Sequence, residues 1–215
     1  NRLDKIAKKA QTTKEKNTVL EYETLKRCVD ALMQNKPIRS LDLNEDEKVI
    51  IKNFSFITAK PIIYVANVKE DDIVLGDNAY SKQVKEYASK EGSGVIVMCA
   101  ELESPMAELE ESDKKEFLKE LGISASGLDK LIFATYDLLG LQTFFTVGPD
   151  ECRAWTFKKG MNAKSCAGLI HSDIERGFIK AEIMKYDDLE TLKSAKEVQE
   201  AGKLNLEGKD YLMQD

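Results

Sequence analysis

The sequence predicts an α/β domain with a mostly parallel sheet, preceded by a helical hairpin and followed by a small α+β domain. Three observations carry this. PIIYVA (61–66) and VIVM (95–98) are continuous apolar runs, as parallel strands covered on both faces require, and helical segments separate them. After Gly140 the rhythm changes to strand, strand, helix and strand within about 75 residues. Before Leu41 the chain reads as two lysine-rich helices, each with one apolar stripe.

Taken in order, Leu3, Ile6 and Ala10 give the first helix its stripe, and Tyr22, Leu25, Val29 and Leu32 the second. QTTKEKN (11–17) is polar enough for the tip between them, so the pair suits a protruding antiparallel coiled coil. Pro37 ends it by disfavouring helix at Lys36. Asp42 or Asn44 can cap a short helix through Lys52. Residues 78–91 read as a polar helix with Val84 and Tyr87 inward, and Ser112 as the cap of a helix that Gly122 ends. A helix near 127–139 closes on Gly140. Then LQTFFTV (141–147) and RAWTF (153–157) alternate as strands, and KKG (158–160) turns the chain. Asn162 caps a helix to about His171, and GFIKAEIMKY (177–186) alternates, with Ile179, Ala181 and Ile183 on one face.

With 215 residues there is room for one large domain or two small ones. The formal net charge of −6 gives no global reason to expect nucleic acid. The charge is uneven, however: residues 1–40 carry about five excess positive charges and the remainder about eleven excess negative ones. Cys28, Cys99, Cys152 and Cys166 are far apart, and His171 is the single histidine, which argues against a zinc site or a disulfide scaffold and for reduced thiols in a cytoplasmic protein. No apolar run approaches the roughly 18–20 residues that span a bilayer, so no membrane partner is expected. Both ends read as cut, and the expectation is a segment of a longer chain.

A phosphate-hydrolysing site needs a G-x-x-x-x-G-K-[ST] loop, whose backbone N–H groups and lysine cradle the phosphates; the sequence has none, and AGKL (201–204) and EGKD (207–210) read as turns. YVANVKE (64–70) holds more. Ligands of parallel sheets sit outside the carboxyl ends of the strands, where Asn67 falls, and the next strand ends similarly at MCAE (98–101). On the local pattern, Asn67 either walls a base or merely turns the chain. His171, beside Ser172 and Asp173, reads as a helix cap or a satisfied core group rather than a catalytic histidine. Trp155 reads as core, and Cys166 as a small buried packing residue.

LQTFFTVGPDECRAWTFKKGMNAKSCAGLIHSDIERGFIKAEIMKYDDL (141–189) and EAGKLNLEGKDY (200–211) resemble the TGS domain of the Obg-like ATPases, YchF subfamily; TAKPIIYVANVKED (58–71) and GLDKLIFATYDLLGLQTFFT (127–146) resemble that family too. The resemblance spans nearly the whole chain, is weakest across 1–40 and most specific across 141–189. It implies a coiled-coil insertion over 1–40, the rear half of a P-loop nucleotide-binding domain of the OBG G type over 41–140, and a ubiquitin-like (β-grasp) TGS domain over 141–215. The P-loop, the magnesium-binding segments and a final strand would lie outside these residues.

The resemblance also implies a function: a cytoplasmic, ribosome-associated triphosphatase that cleaves ATP in preference to GTP with magnesium. The present segment would supply base recognition and be inactive alone. In GTPases the corresponding loop reads N-K-x-D, and the aspartate accepts from two adjacent guanine donors. Glu70 is one methylene longer and does not hold that geometry without moving the loop, which removes both the reward for guanine and the repulsion of adenine N1. Asn67 can still serve adenine, because its amide pairs with N7 and the N6 amine together. By the same resemblance the Val68 backbone and the Cys99–Ala100 loop line the base. A second expected surface is basic: Lys5, Lys8, Lys9, Lys14, Lys16, Lys26 and Arg27 either meet ribosomal RNA or form a solvated helical face. The alternative function is therefore a non-catalytic RNA- or ribosome-binding module.

Overall fold

Apolar residues at helical spacing give α1 (Arg2–Thr13) and α2 (Lys16–Met33), which pack on each other. The computed structural model describes residues 2–13, 15–148 and 150–214, and the chain divides into two compact units, Asn1–Leu131 and Ile132–Asp215. Leu3 and Ile6 of α1 pack against a buried cluster of Leu25, Cys28, Ile38 and Ile51 at the root of the hairpin. Desolvation there pushes the Cys28 thiol above its ordinary range. α3 (Glu45–Lys52) starts on a capping box, in which the Asn44 side chain accepts from Glu47 N and the Glu47 carboxylate accepts from Asn44 N, each at 2.9 Å.

The apolar runs become β1 (Ile63–Asn67) and β2 (Gly94–Met98), with α4 (Glu70–Leu75) and α5 (Ala79–Glu91) between them. α6 (Ala100–Met106), α7 (Glu111–Glu120) and α8 (Gly127–Leu139) follow. β1 and β2 pair in parallel, Ile63 opposite Gly94 and Asn67 opposite Met98, so both strands end at one level. The loops that leave them therefore emerge side by side.

Three local expectations are corrected. Val65 is 46% exposed, because only one strand pairs with β1 among the described residues and one face is left partly open. Tyr87 is exposed rather than inward: its ring meets the edge of Tyr64 at 5.9 Å while its hydroxyl donates to Glu91, and Ser81 and Ala88 fill the inner face of α5. Ser112 lies inside α7, whose N-cap is Glu110, and its hydroxyl donates to Asp113 instead. The Glu91 carboxylate accepts from three segments: Tyr64 Oη at 2.8 Å, Tyr87 Oη at 3.2 Å and Arg39 Nη2 at 3.4 Å. The Tyr64 hydroxyl, ahead of the others, holds this carboxyl below the usual range.

In the second unit β3 (Leu141–Val147) and β4 (Cys152–Lys158) pair antiparallel, Leu141 opposite Lys158 and Val147 opposite Cys152. Phe157 is buried and meets Phe144 edge-to-face at 5.8 Å. Gly160, at φ +87°, makes the turn into α9 (Ala163–Ile170), where Asn162 Oδ1 accepts from Ser165 N. α10 (Ser172–Gly177), β5 (Lys180–Ile183), α11 (Tyr186–Leu192), α12 (Ala195–Glu200) and β6 (Asn205–Gly208) complete the unit, with β5 antiparallel to β6. Ala163, Ala167 and Phe178 form its buried cluster against Ala181, Tyr211 and Met213.

Two further expectations shift here. Ile179 is 78% exposed just ahead of β5, while Ala181 and Ile183 turn inward as the alternation predicts. Trp155 is half-buried rather than core, because its indole N–H donates to Thr146 Oγ1 at 2.9 Å and the Arg153 guanidinium sits 4.4 Å over its ring. The chain is thus α/β, with a parallel pair in one unit and antiparallel pairs in the other. Among the described residues no helix is long and apolar enough to cross a membrane.

Candidate functional site

The parallel register brings Asn67 and Met98 opposite each other, and Val68 N donates to Met98 O at 2.9 Å, which carries the pairing one residue past β1. Beyond that point the two chains separate. Asn67 closes the gap: its Oδ1 accepts from Ala100 N at 3.0 Å, across 33 residues of sequence. An N–H donor fixes which end of the amide is oxygen, so the Asn67 side chain has one orientation and its Nδ2 group stays available at an exposed position.

Cys99 and Ala100 divide their roles. Cys99 is only 2% exposed and packs with Leu102, Met106 and Leu118, while its carbonyl accepts from the N–H groups of Leu102 and Glu103 at 3.1 Å each and starts α6. Its thiol is core; its backbone belongs to the loop. Ala100 is exposed beside Asn67. Glu70 opens α4 after the N-cap Lys69, is exposed, and makes no hydrogen bond to Asn67 or to the Cys99–Ala100 loop among the described residues. A carboxylate there is favoured by the helix dipole and needs no ligand to explain it.

Sequence reasoning missed two residues at this site. The Glu103 carboxylate accepts from Gly127 N at 2.5 Å and from Leu128 N at 3.3 Å, at the start of α8. A Cβ on Gly127 would lie 2.4 Å from Met98 Cβ, so this position has room only for glycine. Ser126 Oγ accepts from Asp129 N at 3.0 Å, a helix-start pattern that could have drawn attention to this segment. The close approach to Met98 has no signature in one dimension.

Of the basic residues, Lys5, Lys8 and Lys9 are exposed at spacings of three and four on α1 and share a face; Lys16 and Lys26 are exposed on α2. Lys14 lies outside the described residues. Arg27 is engaged elsewhere, donating to Glu47 Oε1 at 2.5 Å and to Asp42 O at 2.6 Å, so its charge ties α2 to α3 instead of facing a polyanion. His171 is a cap: its Nδ1 accepts from Asp173 N at 3.1 Å. Cys166 is buried, and desolvation pushes its thiol pKa up, as suits a packing residue. Gly202 lies in a turn, whereas Gly208 closes β6 and only Lys209 falls in the turn that follows it.

Comparison with known proteins gives a consistent result. The family model YchF-GTPase_C, described as a protein of unknown function (DUF933), matches residues 141–215. A protein named ribosome-binding ATPase YchF from Bacillus subtilis (strain 168) is 49% identical over 215 residues, which is 100% of this chain and 58% of that protein. One of the same name from Escherichia coli O157:H7 is 43% identical over 213 residues, 99% of this chain and 58% of that protein. The structure of the Schizosaccharomyces pombe YchF GTPase superposes with a TM-score of 0.82 at 33% identity, covering 100% of this chain and 58% of that one. The chain therefore spans little more than half the length of these relatives.

Proposed function

The chain belongs to the YchF family, and we propose that it supplies the base-recognition end and the TGS domain of a cytoplasmic, ribosome-associated P-loop triphosphatase that hydrolyses ATP to ADP and phosphate in preference to GTP. The relatives' names support the coarse reading but divide between ATPase and GTPase, so the choice of base rests on this chain's own residues. The proposed layout is a coiled-coil hairpin over 1–40, the rear of the nucleotide-binding domain over 41–140 and the TGS domain over 141–215.

The observation that carries the reading is the Asn67–Ala100 bridge at the aligned strand ends. With Oδ1 committed to Ala100, Asn67 Nδ2 is the donor for adenine N7, and the second lone pair of Oδ1 faces the N6 amine. The Val68 backbone and Ala100 line the ring. Glu70, drawn into the first turn of α4, does not present the paired acceptor that guanine's two donors need. No catalytic group is assigned here. Magnesium would assist phosphate cleavage, with its ligands proposed, by the family resemblance, in the P-loop segments of the full protein.

Two variants of the complete protein test this. Asn67→Ala should weaken ADP binding about tenfold, measured by calorimetry; unchanged affinity rejects the base site. Glu70→Asp combined with Val68→Lys should raise GTP use relative to ATP, and an unmoved preference rejects the specificity argument.

A second reading has its own support. The Lys5, Lys8 and Lys9 stripe fits a phosphate backbone, so the hairpin and the TGS domain could act as a ribosome- or RNA-binding module whose occupancy the nucleotide only tunes. Replacing these three lysines by glutamine should flatten the salt dependence of ribosome binding; an unchanged slope would place the contact elsewhere.

A further inference from the structure

We propose that Glu103 and Gly127 form a clamp that positions the base-contacting loop, acting through Asn67; the proposal rests on the base-site reading above. Three anchors converge on the end of β2. Asn67 Oδ1 holds Ala100 N from one side at 3.0 Å. From beneath, the bare Cα of Gly127 lets α8 approach Met98 so closely that a methyl group would overlap its Cβ at 2.4 Å. From the far side of the first turn of α6, the Glu103 carboxylate grips the first N–H groups of α8, at 2.5 Å to Gly127 and 3.3 Å to Leu128. These N–H groups have no intrahelical acceptor, and the positive end of the 13-residue α8 favours a carboxylate, so the grip is strong.

The lever is short. Ala100 and Glu103 occupy the same turn of α6, about 4.5 Å apart along its axis. Glu103 N also bonds back to Cys99 O at 3.1 Å, so carboxylate, turn and loop move together. The Asn67–Ala100 bond tolerates only a few tenths of an ångström before it weakens. Release of the Glu103 grip lets α6 tilt, Ala100 N leaves Oδ1, and the Asn67 amide is free to rotate. Nδ2 is then no longer held where a purine N7 needs it. Glu103 touches no nucleotide in this scheme; it is a positioning residue.

The test uses the complete protein and measures ADP and GDP affinity by calorimetry for Asn67→Ala, Glu103→Ala, Glu103→Gln and the double variant Asn67→Ala/Glu103→Ala. Glu103→Ala should weaken ADP about three- to tenfold, narrow the ADP-to-GDP ratio and leave kcat at saturating ATP nearly unchanged. Glu103→Gln, which keeps one acceptor for Gly127 N, should lose less and stands in if the alanine variant does not fold. The double variant should bind no more weakly than Asn67→Ala alone, because the clamp acts through that amide. Full additivity, or a Glu103→Ala protein with a lower Tm but normal ADP affinity, overturns the clamp and leaves the base site standing. If Asn67→Ala itself changes nothing, the base site fails first and the clamp falls with it.

Discussion

The two units spend their polar side chains differently. In the second unit the bonds that look most like chemistry are local: His171 accepts from Asp173, Asn162 from Ser165 and Ser194 from Glu197, each two or three residues away. In the first unit Asn67 reaches 33 residues to Ala100 and Glu103 reaches 24 to Gly127. The cause is topology. A parallel pair needs a long crossover, so its two carboxyl ends bring distant segments to one level, whereas antiparallel neighbours joined by short turns mostly meet their own surroundings. A side chain that caps its own helix holds the fold; one that joins two strand ends can hold a ligand.

The comparison can be broken most forcefully at Phe157. Phe157→Ala should cost about 3–5 kcal/mol in the second unit, read from urea unfolding, while ADP affinity stays as it was. A loss of nucleotide binding would mean that the units are not separate in this respect. Gly127→Ala forces Met98 or α8 to move and should destabilise the first unit by about 1–3 kcal/mol, with weakened ADP binding as the companion readout. Its loss of stability without any change in binding would blur the distinction drawn above.

A smaller effect concerns pH. The Asn44 backbone N–H, ahead of the Arg27 guanidinium, holds the Glu47 carboxyl below the usual carboxylate range. Its folded pKa is thus depressed relative to the unfolded chain, so its contribution is present above the ordinary value of about 4.3 and is lost as pH falls through the folded value. Glu47→Gln keeps the helix-start bond but removes this charge, and should flatten the acid limb of the pH–stability curve. A limb as steep as before would remove Glu47 from the list of stabilising acids. Smallest of all, His171→Ala should cost about 1 kcal/mol through the lost cap, and His171→Asn should recover most of it. Failure of the asparagine to rescue would point to a role for the imidazole beyond capping.

The same local-versus-distant divide explains what could be read from the sequence. The helix that Asn162 caps, the strands of the second unit and the apolar runs of β1 and β2 follow from short-range spacing, and they appear where expected. Asn67 and the Cys99–Ala100 loop are legible as adjoining strand ends, but the bond from Ala100 N to the Asn67 side chain is not, because no local spacing encodes it. Arg27 shows the opposite error. Counted among a run of cations it looked free, yet Glu47 and the Asp42 carbonyl, 20 and 15 residues on, had already engaged it. Tyr87 and Trp155 were misplaced for one reason: an aromatic ring with a polar tip satisfies the inward pattern while its tip seeks a partner nearer water.

Glu91 carries a consequence of its own. One carboxylate at the end of α5 gathers a strand tyrosine, a tyrosine of its own helix and the arginine that follows the hairpin, so α5 cannot peel away without stripping both Tyr64 and Arg39 of their acceptor. Opening there should be concerted: amide hydrogens in 38–40, 63–67 and 84–91 should exchange with deuterium at a shared rate, and Glu91→Ala should split that single rate into three.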